Sequence, residues 1–218
     1  EAEILTTVEE MAAYYIQEIK KIQPIGPYLL GGYSFGGELA FEMSRQLDQQ
    51  GEKVDKLILF DSHAPNSSIR LPFSQRIIIH FNNLLERKHN YIIERVLDWK
   101  RWLQDDLKYN FQKLSIKVFQ YFDLPLSLRL HNIFIEARND TARKNHQLKF
   151  YPGKVILMPT KGSFGGVGRE RDEYLGWKNL VGQEIDIYPV PGHHFSMLEE
   201  PSVQQLAEVL KSCLNKNT

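Results

Sequence analysis

The stretch that decides the fold is Tyr28-Leu29-Leu30-Gly31-Gly32-Tyr33-Ser34-Phe35-Gly36-Gly37. A short apolar run ends in a glycine-rich turn that contains a single serine. Behind the turn Leu39, Met43 and Leu47 repeat at helical spacing, with Gly51 as the stop. Lys56-Leu57-Ile58-Leu59-Phe60 then reads as a second strand, closed by Asp61. Strand, helix and strand at this spacing predict a right-handed parallel βαβ unit. Gly32-Tyr33-Ser34-Phe35-Gly36 within it fits a nucleophile elbow, in which side chains flanking the serine would clash and glycine is needed on either side. Such a turn lifts the serine hydroxyl above the sheet at a helix N-terminus, where the dipole and the Phe35 N–H favour negative charge on a substrate oxygen. A glycine-rich βα turn with an incidental serine gives the same five letters; the flanking strand, the helix and the further glycines argue against it.

The pattern extends in both directions. Upstream, Thr7 and Glu10 are spaced as a capping box ahead of Val8, Met11, Ala12, Tyr15, Ile16 and Ile19, and Pro24 with Gly26 ends that helix. Downstream, Val155–Met158 and Ile185–Tyr188 read as strands and Pro201–Leu214 as a closing helix. Between them, residues 66–150 have a helical texture: Phe73, Ile77, Phe81 and Leu84 mark one helix, Ile92 to Phe111 a longer one, and Leu126 to Phe134 a third with Pro125 in its first turn. No strand is expected in this region. The predicted organisation is therefore an α/β core over 1–65 and 151–218, with helices on both faces of a mostly parallel sheet, and a helical lid insertion over 66–150. Loops at the carboxyl ends of parallel strands surround a site, so an insertion after Asp61 is placed to cover it.

Composition narrows the classes. The 218 residues hold 27 Lys+Arg against 27 Asp+Glu, so nothing global points to nucleic acid or to a membrane surface. The balance is uneven, with 15 basic against 8 acidic residues between Asn66 and Phe150. A solvated helical surface is the plain reading, and a docking face for an acidic partner the sharper one. The lone Cys213 suits a reducing, cytoplasmic setting and supplies no metal cluster. No apolar run reaches transmembrane length.

A serine hydroxyl needs a base. Pro191-Gly192-His193-His194-Phe195 follows the last strand, where this architecture carries its histidine, and spacing does not choose between the two imidazoles. In the commonest order the acid follows the strand after the insertion. That strand here ends Met158-Pro159-Thr160-Lys161-Gly162, with no carboxylate before Glu170. Asp61 ends the strand beside the nucleophile strand and can approach a histidine that also reaches Ser34. Glu170, Asp172 and Glu173 are fallback acids and read first as surface charge; His63 reads as hinge surface. The aromatics Phe73, Phe81, Trp99, Trp102, Phe111, Phe119 and Tyr121 read first as helix-packing residues and second as the wall of an apolar chamber.

At these residues the chain resembles the thioesterase domains of non-ribosomal peptide and polyketide synthases, which have the α/β-hydrolase fold. The resemblance rests on Gly26-Pro27-Tyr28 through Gly37, on Leu57–Asp61, on Tyr151-Pro152-Gly153-Lys154-Val155, on Gly176-Trp177 and on Pro191 through Leu198. It implies Ser34 as nucleophile, Asp61 as acid, His194 (directly before Phe195) as base, and the Phe35 amide as an oxyanion donor. It further implies no bound cofactor or metal, a substrate delivered on the phosphopantetheine of an acyl or peptidyl carrier domain of the same synthase, and release of that chain by hydrolysis or macrocyclisation. That fold carries strands ahead of the nucleophile strand and a second oxyanion donor after one of them; neither is found here, and the first residue is not Met, so a piece of a longer protein is expected. A free-standing serine esterase or lipase, and a non-catalytic interaction module on the same fold, are the other readings. The residues leave oligomeric state open.

Overall fold

A computed structural model describes residues 5–65, 68–122, 124–160 and 169–215, and does so without side chains at 68–70, 98, 101, 102, 105 and 169–171. Helix α1 (Val8–Ile22) starts on the capping box: Glu10 N donates to Thr7 Oγ1 and Thr7 N to the Glu10 carboxylate. Then come β1 (Tyr28–Tyr33), α2 (Phe35–Gln49), β2 (Val54–Phe60), β3 (Ser68–Arg70), α3 (Phe73–Tyr121), α4 (Leu128–Asn145), β4 (Val155–Met158), β5 (Arg169–Arg171), β6 (Ile185–Ile187) and α5 (Ser202–Asn215).

The chain divides into two compact units, residues 1–70 with 143–218, and residues 71–142. The first holds a parallel sheet in the order β1-β2-β4-β6. Its strands are short, and their side-chain alternation distributes them between two cores. Leu57, Leu59, Val155 and Leu157 face Ala40, Phe41 and Trp177 on one side. Ile58, Ile156 and Met158 face Met197, Leu206 and Cys213 on the other, so α2 and α5 lie on opposite faces. Helix α1 lays Ala12 and Ile16 against Met43 and Leu47 of α2. This is the α/β architecture expected around Ser34.

The second unit is built from α3 and most of α4. Lys88 leaves helical geometry (φ 47°) and breaks α3 into two arms. A groove of about 570 Å³ between the arms is lined by Ile77, Phe81, Leu84, Ile92, Val96 and Trp99, among others. Three readings of this stretch need correction. Pro125 precedes α4 instead of lying in its first turn. Phe73, Phe81, Trp99, Phe111 and Tyr121 are each more than half exposed, so their primary reading as packing residues fails; Trp102 lies outside the residues whose side chains are described. And the segment expected to hold no strand opens on β3, which pairs antiparallel with β5. Three residues are too few for a period-two pattern, and the partner strand lies about a hundred residues away.

Candidate active site

The elbow is assembled by β1 and α2. Ser34 sits at φ 54°, ψ −121°, a conformation that non-glycine residues adopt only where the surroundings enforce it. Ser34 N donates to Phe60 O (3.1 Å), and Gly37 N to Ser34 O (3.0 Å). A Cβ on Gly32 would lie 2.0 Å from Gly36 O, so glycine is obligatory there. The second glycine of the motif is different: a Cβ on Gly36 would meet nothing within 4 Å. The tight position is Gly37, whose Cβ would lie 2.4 Å from Ser62 Cβ. The demand comes from the segment after β2, which the motif does not contain.

Phe35 is the first residue of α2, so its N–H is among the first-turn amides that no helical carbonyl reaches. That amide and the helix N-terminus make the region around Ser34 favourable to an anion.

Asp61 follows β2 directly and is fully buried, also with a positive φ (41°). Its neighbourhood is bonded residue by residue. Asp61 N donates to Met158 O (3.0 Å), Trp177 Nε1 to Ser62 O (2.8 Å), Arg143 Nη2 to His63 O (3.2 Å), and Ala64 N to Leu175 O (2.9 Å). His63, expected as hinge surface, is half-buried within this clamp.

The two histidines of the last loop separate by burial. His193 is exposed, while His194 is buried, with its ring between the other two groups. His194 Nδ1 lies 2.9 Å from Asp61 Oδ2, and Nε2 lies 3.1 Å from Ser34 Oγ. A carboxylate only accepts, so Nδ1 carries the proton and Nε2 is left to accept from the serine hydroxyl. Fully buried Met197 anchors the loop, and its N–H together with that of Ser196 bonds His193 O. Tyr33, a variable position of the motif, holds His194 twice: its hydroxyl donates to His194 O (2.5 Å), and its ring stacks on the imidazole at 4.8 Å and 25°. Burial and the nearby Asp61 charge raise the Tyr33 pKa, which keeps that hydroxyl a donor. Nothing in the letters of the motif announced this role.

Of the fallback acids, Asp172 accepts from Gly176 N (2.6 Å) in a turn, Glu173 is exposed, and the Glu170 side chain lies outside the described residues. Two further acids, Glu38 and Glu42 of α2, are buried without any signal in the sequence, and Glu42 is paired with Arg45. Glu38, in the first turn of α2, is fully buried; Arg143 Nε pairs with Oε1, and among the described residues Oε2 has no hydrogen-bond donor. Burial pushes its pKa up to about 7 against the opposing pull of Arg143. Among the described residues no group of three His, Cys, Asp or Glu is placed to hold a metal ion, and no helix is long and apolar enough to cross a membrane.

A serine, an imidazole and a carboxylate aligned at the carboxyl ends of a parallel sheet invite comparison with known hydrolases. The Thioesterase domain family matches residues 1–98. Over 210 residues the chain is 31% identical to the non-reducing polyketide synthase terA of Aspergillus terreus, a match that covers 96% of this chain. The chain is thus similar to the thioesterase domains. It spans only 10% of that polyketide synthase. Among solved structures it is similar to holo-AB3403, a four-domain non-ribosomal peptide synthetase bound to AMP and glycine (TM-score 0.65, 25% identity, 100% of this chain and 17% of that one). It is also similar in fold to the thioesterase domain of NocB in covalent complex with a fluorophosphonate nocardicin G analogue (TM-score 0.62, 22% identity, 99% of this chain and 78% of that one).

Proposed function

We propose that this thioesterase domain releases an acyl or peptidyl chain from the phosphopantetheine thioester of a carrier domain through an ester on Ser34. The observation that carries the reading is the hydrogen-bonded line from Ser34 Oγ through His194 to Asp61, at 3.1 and 2.9 Å.

In the first half-reaction Ser34 Oγ attacks the thioester carbonyl carbon while His194 Nε2 takes the hydroxyl proton. The buried Asp61 carboxylate favours the imidazolium that results. Negative charge gathers on the carbonyl oxygen, where the Phe35 amide and the start of α2 stabilise it; one such donor is worth roughly 10²–10³ in turnover. The intermediate collapses, the carbon–sulfur bond breaks, and His194 returns its proton to the departing thiolate. In the second half-reaction water or a nucleophile within the chain attacks the Ser34 ester with His194 again as base. The bond from the acyl carbon to Ser34 Oγ then breaks, His194 returns the proton to that oxygen, and an acid or a macrocycle leaves. A carrier domain of the same synthase is the assigned partner.

The test is incubation with an acyl or peptidyl N-acetylcysteamine thioester, followed by peptide mass spectrometry. An acyl adduct on Ser34, absent in Ser34→Ala, is the expected result. A protein that turns over simple esters and ignores thioesters would overturn the assignment of substrate class, and one with neither adduct nor turnover would overturn the enzyme reading.

A further inference from the structure

The order of strand ends across the sheet is Ser34 after β1, Asp61 after β2, Thr160 after β4, and the His194 loop after β6. The histidine therefore reaches its acid across the end of an intervening strand. What stands in that gap is Thr160, only 3% exposed. Its backbone bridges Val190 on one side, directly ahead of the His194 loop. On the other side it meets the acid twice: Thr160 N donates to Asp61 Oδ1 (2.8 Å) and Thr160 Oγ1 to Asp61 Oδ2 (3.0 Å). The second oxygen is the one that accepts from His194 Nδ1. This is also the place where the commoner order would put the acid itself.

From this we infer that Thr160 is a positioning residue that acts through Asp61, orienting its carboxylate toward His194 Nδ1 and stabilising its ionised form. The inference rests on the reading of Ser34, His194 and Asp61 as a working triad. A carboxylate stripped of water is costly unless its lone pairs find donors, and Thr160 supplies one donor to each oxygen. Gripped by two donors from one residue, the carboxylate cannot rotate about its Cβ–Cγ bond without breaking both. The branched Cβ of threonine restricts its own rotamer, so the hydroxyl is held in place. The backbone donor is available from any residue except proline; the hydroxyl donor is not.

The test compares Thr160→Val, which keeps the shape and loses the hydroxyl, with Thr160→Ser, which keeps the hydroxyl. A hydrogen bond to a buried charge predicts that Thr160→Val lowers kcat for a thioester roughly ten- to a hundredfold with KM little changed, and that Thr160→Ser recovers most of it. Repeating Thr160→Val in an Asp61→Asn background should add almost nothing, because the residue works through the charge that is already gone. The chemical shift of the His194 Nδ1 proton, read by NMR on the protein without substrate, should move in Thr160→Val and return in Thr160→Ser. Equal kcat for Thr160→Val and wild type, an unmoved proton resonance, or the same fractional loss in both backgrounds would each overturn the inference. An unreactive Ser34 in the wild-type protein would instead count against the triad reading, and the resonance would still decide the Thr160 contact.

Discussion

Glu38→Gln is the substitution whose effect the structure defines most closely. Glu38 occupies the first turn of the helix that presents Ser34, fully buried, with one oxygen paired to Arg143 and the other without a donor among the described residues. Its pKa rises from the ordinary 4.5 to about 7. In the window between these values the native state holds a proton on Glu38 that the unfolded state has released, so stability falls as pH rises. Below 4.5 both states are protonated and nothing is lost. Above about 7 both are ionised and the loss is complete. At about 1.36 kcal/mol for each pH unit across that window, the difference comes to about 3 kcal/mol at most, a sizeable part of the roughly 5–15 kcal/mol that holds a domain folded. Glutamine carries no charge at any pH and escapes the penalty, while the Arg143 side chain, 37% exposed, keeps access to water. Urea unfolding of wild type and Glu38→Gln across this window checks it. The variant should gain on wild type steadily up to about pH 7 and hold its lead beyond. A difference that is flat with pH, or that turns in favour of wild type as pH rises, would instead show that Arg143 keeps the carboxylate ionised.

The remaining predictions concern the site. Asp61→Asn should fold normally yet lose on the order of 10⁴ in kcat, because the amide cannot enforce the Nδ1–H tautomer; the acylation rate of Ser34 measures it. Gly37→Ala must displace Ser62 or the start of α2, since the new Cβ would sit 2.4 Å from Ser62 Cβ; a destabilisation of about 1–3 kcal/mol should appear in urea unfolding, whereas Gly36→Ala should be close to neutral. Tyr33→Phe keeps the stacked ring and loses the bond to His194 O, so thioester turnover should fall by about tenfold or less, and Tyr33→Leu should fall further.

The parts of this architecture that rest on local periodicity were legible in the residues: the capped first helix, the strand–turn–helix around Ser34, and the placement of Asp61 and the histidine loop at strand ends. What stayed hidden depends on distant partners. Glycine at 37 is required by Ser62, and no five-residue motif carries that information. Adjacent histidines look identical in sequence; burial of the His194 ring and exposure of His193 separate them only once the loop is anchored by Met197. The pairing of β3 with β5 involves strands too short to show alternation. Glu38 lies on a helix whose pattern assigns polar residues to solvent, and its burial depends on Arg143, about a hundred residues on. Thr160 was read for the carboxylate it lacks, and its donors to Asp61 appear only when β2 and β4 stand side by side.

The line from Ser34 to Asp61 is drawn through residues 160 and 133 positions apart in the chain. During synthesis the serine and the acid leave the ribosome long before the histidine does. A nascent chain that has reached Gly192 already holds the proposed nucleophile but not yet the proposed base, His194. On the proposed roles, the line is complete only once β6 has docked and the loop after it brings His194 to Asp61. The appearance of thioester turnover in a refolding experiment would time that docking.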